Sequence, residues 1–223
     1  MHTDKGHATL EEYYARRAKE YEDIYYRDDA QRQAEQLKIR SALKEALKGA
    51  DVLEVACGTG YWTQFLSETA SGITATDFNQ EVLDIAKHKN FICPVYLETA
   101  DAYDLPFAAG TFTGGLANFW FSHIPKSRIH EFLSGFHNKL QPGSCVFIAD
   151  NMNVPGVGGD LIVKPGDENT YKLRTLKDGT SREVLKNYFT RHELFQIFKN
   201  YSPSLTEDDI YIGECFWFIK YTV

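Results

Sequence analysis

No apolar run in this 223-residue chain approaches the ~20 residues that crossing a bilayer requires. The longest, around Phe216 to Ile219, is only strand-sized. Met1 to Gly6 holds nothing like the apolar core of an export signal, so a cytoplasmic location is the expectation. Basic charge is in short supply: 24 Lys and Arg against 31 Asp and Glu give −7 at neutral pH. That balance counts against a protein that grips duplex nucleic acid by its phosphates. Cysteine is sparse as well. Cys57, Cys93, Cys145 and Cys215 are far apart, form no C-x-x-C pair, and read as reduced thiols, three of them in strand-like apolar runs. No internal repeat and no low-complexity tract interrupts the sequence. What remains is a globular balance of 43% hydrophobic, 25% charged and 14% aromatic residues, which excludes disorder as the main state. The length suits one α/β domain with a small lid.

Helical spacing marks Leu10 to Tyr26 (Tyr14, Ala18, Tyr21, Tyr25) and then Ala30 to Lys48, where Ile39, Leu43, Ala46 and Leu47 share a face and Gly49 stops the run. From there strands and helices alternate. Asp51 to Val55 reads as a strand, Tyr61 to Thr69 as a helix, Gly72 to Asp77 as a strand and Gln80 to His88 as a helix. Pro94 to Glu98 and Leu116 to Phe119 follow as strands, then a helix from Ser127 to Leu140, a Pro142–Gly143 turn and a fifth strand from Ser144 to Asp150. Such alternation predicts βαβ units and a parallel sheet covered on both faces. After Asp150 the rhythm breaks. Asn151 to Asn169 reads as loop, and Tyr171 to Thr175 and Arg182 to Tyr188 flank Asp178–Gly179 as a hairpin. A helix from Arg191 to Asn200 and two last strands, the final one Glu214 to Tyr221, close the chain with an antiparallel element.

The turn after the first strand runs Glu54, Val55, Ala56, Cys57, Gly58, Thr59, Gly60, Tyr61, Trp62. It sits at the carboxyl edge where open α/β sheets bind ligands, and its glycines let a ligand approach the backbone. The dinucleotide pattern G-x-G-x-x-G needs a small residue where Thr63 stands, which speaks against a nicotinamide enzyme. Instead, an acid (Glu54) precedes Gly58, a second (Asp77) ends the next strand, and a third (Asp101) follows the strand after that. This E-x-x-x-G-x-G with two further strand-end acids resembles the class I S-adenosylmethionine-dependent methyltransferases. The resemblance covers most of the chain. It implies a Rossmann-like, seven-stranded, mostly parallel sheet with an antiparallel C-terminal strand and an N-terminal helical lid. One methyltransferase domain spans 1–223 in this reading: lid 1–49, cofactor core 50–150, and substrate hairpin with C-terminal strands 151–223.

The cofactor that the resemblance implies is S-adenosylmethionine, whose sulfonium, ammonium, ribose hydroxyls and adenine amine all suit acidic acceptors. Asp77 is then assigned to the ribose hydroxyls, Asp101 to the adenine amine and the N–H of Ala102 to a ring nitrogen. Ala56, Gly58 and Gly60 line the amino-acid end, Glu54 orders the loop through backbone N–H groups, and Trp62 and Asn118 complete the cofactor set. Phe78 either packs on adenine or is ordinary core. The segment Tyr13 to Tyr21 resembles the Y-Y-x-x-R-A-x-E-Y lid of small-molecule members, which places Tyr14 and Arg17 at the methionine end. A solvated amphipathic helix is the alternative.

After the fourth strand comes Asn118, Phe119, Trp120, Phe121, Ser122, His123, Ile124, Pro125. The N-P-P-[YF] of amino-methylating relatives is absent here, and so is the Pro-Cys of pyrimidine C5-methylation. His123 is either a general base for a hydroxyl acceptor or a packed residue that fixes the loop. Trp120, His123 and Pro125, with Arg174 to Ser181 and Lys186, resemble phosphonate O-methyltransferases. That resemblance makes Arg174 and Lys186 a clamp for a small anionic acceptor, with Tyr26 adding a hydroxyl. The alternative for each cation is an exposed hairpin charge. The expected activity is methyl transfer to an oxygen of a small-molecule acceptor. No metal is assigned, although Asp150 and Asn151 with Asn118 keep a metal-dependent, catechol-type reading open. A cofactor-binding protein without transfer activity is the other alternative. No membrane partner is expected, and the oligomeric state is not legible.

Overall fold

The computed structural model describes Glu22, residues 25–175 and residues 181–223. Tyr14 and Arg17, and with them most of the expected first helix, lie outside the described residues. Helix α1 runs Ala30–Ala46 and starts under Asp29, whose carboxylate accepts the Arg32 N–H at 3.0 Å. Strands β1 (Asp51–Val55), β2 (Gly72–Asp77), β3 (Val95–Thr99), β4 (Phe112–Asn118) and β5 (Leu140–Asn151) alternate with helices α2 (Tyr61–Leu66), α3 (Gln80–Ala86) and α4 (Ile129–Asn138). A small antiparallel sheet of β6 (Leu161–Val163), β7 (Thr170–Thr175) and β8 (Ser181–Leu185) follows. Helix α5 (Arg191–Phe198), β9 (Ile210–Ile212) and β10 (Phe216–Thr222) complete the chain.

The main sheet has the order β3-β2-β1-β4-β5-β10-β9. Its first five strands are parallel, and β10 is antiparallel to both β5 and β9. Period-2 alternation divides each strand between two cores. Leu53 and Val55 join Phe132, Phe136 and Phe198 on one face, while Val52 joins Ile39, Leu43 and Leu66 on the other. Strand order reverses between β1 and β4, so the crevice for a ligand opens at their carboxyl tips.

Three expectations need correction. The fourth strand begins at Phe112 rather than Leu116, because Gly114 and Gly115 belong to the sheet and not to a turn. A Cβ at Gly115 would come within 2.8 Å of the Phe136 ring and 2.9 Å of Leu140, so glycine is what lets α4 press onto the strand. Pro142 and Gly143 lie inside β5 at an irregularity, where pairing with β4 jumps from Phe112↔Leu140 to Gly114↔Cys145. Pro142 precedes the stretch paired with β10, so its missing N–H costs no ladder bond there. The loop after Asp150 contains β6, too short to leave a pattern.

One anchor had no signature in the sequence. Glu35 of α1 is buried, and its carboxylate accepts the N–H groups of Glu214 at 2.8 Å, Cys215 at 3.1 Å and Phe216 at 3.0 Å. This ties α1 to the start of β10, and a side chain on Gly213 would overlap that carboxylate.

Candidate active site

From Val55 the chain leaves β1 through three left-handed residues, Ala56 (φ 54°), Gly58 (φ 57°) and Gly60 (φ 75°), the last of which caps α2. For Ala56 this conformation carries strain of ~1 kcal/mol or more, which its surroundings must hold. They do so from β2: Cys57 N–H donates to Thr76 O at 2.9 Å, and Gly58 N–H donates to Asp77 Oδ2 at 2.9 Å. The other oxygen, Oδ1, accepts Asn79 N–H at 2.9 Å. Burial raises the Asp77 pKa, opposed by the amides of Asn79, Gly58 and Phe78.

The expected loop-ordering role of Glu54 is therefore corrected: Asp77 and Thr76 hold the turn, and no N–H of the loop reaches Glu54 among the described residues. Glu54 is buried within the strand, and its Oε2 has no hydrogen-bond partner. Burial pushes its pKa up to about 8, with the Thr63 hydroxyl opposing and the Asp77 charge adding. At neutral pH this carboxyl is mostly protonated.

Beside the turn, Phe78 is 46% exposed at the tip of β2, so the core alternative for this residue falls away. Asp101 lies past the end of β3, half-buried, its Oδ1 accepting Tyr103 N–H at 2.9 Å, with Ala102 packed against the core next to it. Asn118, at the tip of β4, is buried with both side-chain atoms unpartnered. Two amide donors and an acceptor without partners inside a protein point to a ligand. Trp62 does not join this set. Its ring is buried among Tyr25, Tyr61, Phe65 and Phe119, and its N–H donates to Tyr25 Oη at 3.2 Å. Tyr25 in turn stacks on Tyr61 with centroids 3.8 Å apart. Tyr25 thus packs on α2, and Glu22 adds a contact nearby: its Oε1 accepts the Thr59 hydroxyl at 2.7 Å and meets Lys89 Nζ at 2.7 Å.

The residues expected at the acceptor end gather beside the small sheet. Phe121–His123 form a 3₁₀ turn after β4. His123 is buried and bonds through Nδ1 to Leu185 O at 2.8 Å, which fixes Nδ1 as the donor in the neutral ring. Burial first, then the Lys186 charge, push its pKa down to about 3, against Asp150 and the Leu185 carbonyl. Lys186 is not an exposed hairpin charge, so that alternative falls away for it. It lies just past β8, 4% exposed, with Nζ 3.1 Å from Asp150 Oδ1 and 2.5 Å from Ser122 Oγ. Asp150 also accepts the N–H groups of Ser122 at 2.8 Å and Asn151 at 2.7 Å. The carboxylate that the metal-dependent alternative would use is thus paired with an ammonium. Arg174 is half-buried on β7, and its guanidinium enters no hydrogen bond or ion pair among the described residues. Its charge nevertheless acts on His123 and Tyr188. Tyr26 is 69% exposed, with its ring edge-on to Tyr61 at 6.1 Å. Sequence reasoning missed Glu22, Ser122, Lys172 and Tyr188. For Lys172, the alternation Thr170, Lys172, Arg174 along one strand face was the available signal.

Known proteins resemble this chain in sequence and in fold. A family model for the methyltransferase domain matches residues 52–143. Demethylmenaquinone methyltransferase of Staphylococcus aureus (strain MRSA252) is 32% identical over 170 residues, covering 67% of this chain and 70% of that enzyme. The same-named enzyme of Staphylococcus epidermidis (strain ATCC 35984) is 32% identical over 106 residues, 44% of this chain, and there the chain spans only 42% of the relative's length. Among solved structures, the DhpI-SAM-HEP complex superposes with a TM-score of 0.75 at 22% identity, covering 97% of each chain. The PH0226 protein from Pyrococcus horikoshii OT3 does so at 0.67 and 16% identity, covering 91% of this chain and 98% of that one. Those two structural likenesses bear on the fold, and the S. aureus relative bears on the family. The chain belongs to the class I S-adenosylmethionine-dependent methyltransferases.

Proposed function

We propose that this protein transfers the methyl group of S-adenosylmethionine to an oxygen of a small anionic acceptor. The observation that carries the acceptor class is Arg174, a guanidinium without an ion-pair partner among the described residues whose charge acts on His123 and Tyr188. A fork of N–H donors in that position suits an oxyanion.

The residues present fit the cofactor. Asn118 and Glu54 hold unpartnered buried polar atoms, and Phe78 shows an open face at the strand tips. Asp77 would take the ribose hydroxyls, Asp101 the adenine amine and Ala102 N–H a ring nitrogen. Ala56, Gly58 and Gly60 would line the amino-acid end beside Asn118. Tyr14 and Arg17 would close over it from the lid (1–49), with 50–150 as the cofactor core and 151–223 carrying the acceptor hairpin. When bound, the cofactor supplies a methyl group on a sulfonium, open to in-line displacement.

The chain's own work is alignment and exclusion of water. A His123 nitrogen with a pKa near 3 is a poor base at neutral pH. An oxyanion acceptor is already a nucleophile and requires none. His123 thus acts as a neutral ring held in one tautomer at the wall of the acceptor site, and Tyr26 would add a hydroxyl to it. Lys186 contributes donor capacity, its charge being balanced by Asp150. The name of the S. aureus relative also specifies a small-molecule acceptor, which supports the size class.

The test is a transfer assay with labelled cofactor across matched small phosphonates, carboxylates, phenols and amines. Turnover confined to the oxyanions is the expected result. Turnover only on amines or neutral phenols would overturn the acceptor class.

A further inference from the structure

Beneath Arg174 lies a second cation that has no assigned role. Thr170, Lys172 and Arg174 share one face of β7 by strand periodicity. Lys172 is 2% exposed, and its Nζ donates to the Gly159 carbonyl at 2.9 Å and lies 5.7 Å from the centre of the Tyr188 ring. Neither Lys172 nor Arg174 has a carboxylate within ion-pair distance among the described residues. Burial, then the neighbouring Arg174 charge, lower the Lys172 pKa, with the more distant Asp160 opposing. The contrast with Lys186 is direct, because that ammonium is matched by Asp150. A buried positive charge with a like neighbour and no counter-ion is costly, and proteins keep such an arrangement where an anion completes it.

The loop that covers these cations is shaped for them. Gly158 (φ 76°) and Gly159 (φ 88°) both take the left-handed conformation. A Cβ on Gly158 would overlap the Arg174 guanidinium, and one on Gly159 would overlap the Leu173 carbonyl. Leu173 N–H donates to Asp160 O at 3.2 Å, and Lys172 holds the carbonyl of Gly159. Backbone and ammonium together fix the loop against β7, so the guanidinium lies in a groove that only glycine permits.

We infer that Lys172 is a positioning residue of the acceptor site: it pins the Gly158–Gly159 loop around Arg174 and adds an uncompensated charge, so that the site reads how much negative charge the acceptor head group carries. This rests on the anionic-acceptor reading above. Two charges at the site that no carboxylate neutralises favour a doubly charged head group over a singly charged one, because the attraction scales with the product of charges in a partly desolvated groove.

Titration calorimetry of the full chain, saturated with S-adenosylhomocysteine, tests this with methylphosphonate and acetate as probes at a pH where the former is a dianion. Wild-type protein should bind methylphosphonate more tightly than acetate. Lys172→Gln should weaken methylphosphonate by about tenfold or more, the loss of one charge-assisted interaction. Acetate should weaken less, and affinity for S-adenosylhomocysteine should not move. Lys172→Arg should restore most of the discrimination. If Lys172→Gln keeps the wild-type preference, or loses both probes and the cofactor product alike, Lys172 is structural and the inference fails. Arg174→Ala separates this failure from that of the underlying reading. Unchanged binding of both probes in Arg174→Ala would show that the hairpin recognises no anion at all, and both would fall.

Discussion

Asp77, at the tip of β2, holds the N–H of Gly58, beyond the tip of β1, at 2.9 Å. One carboxylate thus shapes the glycine turn, and in the proposed reading its remaining lone pairs take the ribose hydroxyls. Replacing Asp77 with Ala should remove both contributions. Affinity for S-adenosylhomocysteine should fall by ~1–3 kcal/mol, and stability by a similar ~1–3 kcal/mol as the Gly58 amide is orphaned. Calorimetry and urea melts would show this; an unaltered affinity would place the ribose elsewhere.

Glu54 gives a pH signature. Its folded pKa, about 8, lies above the unfolded value, so the folded state holds the extra proton. The associated stability is present below about pH 4.5 and is lost as pH rises to about 8. Glu54→Gln keeps the shape without the titration. The variant should gain stability relative to wild type through that window and then level off, as seen in urea midpoints across pH 5 to 9.

Breaking the buried pair Asp150–Lys186 should be costly from either side. Lys186→Met strands a carboxylate in the core, at ~3–5 kcal/mol, and Asp150→Asn removes the counter-charge of the ammonium. Combining the two should recover part of the loss. Strict additivity in the double-mutant cycle would mean that the two groups do not interact.

His137 and His123 tilt stability the other way. Burial holds His137 near pH 4 and His123 near 3, below the ~6.5 of an unfolded histidine. Between about pH 6.5 and those values the unfolded chain takes up protons that the folded one refuses. Stability should therefore drop on acidification, by up to ~1.4 kcal/mol per pH unit for each ring. His137→Gln, which can keep a bond to Tyr221 Oη, should flatten the slope measured between pH 7 and 5. An identical slope would show that His137 takes up its proton in the fold over the same range as in the unfolded chain.

Much of this molecule follows from local pattern. Hydrophobic periodicity marks each βα unit, because a buried parallel strand and an amphipathic helix both need their apolar residues at fixed spacing. The E-x-x-x-G-x-G turn with Asp77 and Asp101 marks the crevice, because left-handed backbone at Gly58 and Gly60 and acids at strand tips are short-range requirements. What local pattern cannot carry is who meets whom. Glu35 and Phe216 are 181 residues apart in sequence, and nothing near either one announces their bond. Lys186 looks like a surface charge until Asp150, 36 residues away, is seen beneath it. Trp62 looks like a cofactor wall until Tyr25 and Phe119 enclose it. The sequence by itself determined the strand-helix order and the chemistry of the strand tips, since both are written in neighbours along the chain. Only the tertiary structure decided which charges are balanced and which stand open, because the cost of a buried charge depends on what packs against it from elsewhere in the fold.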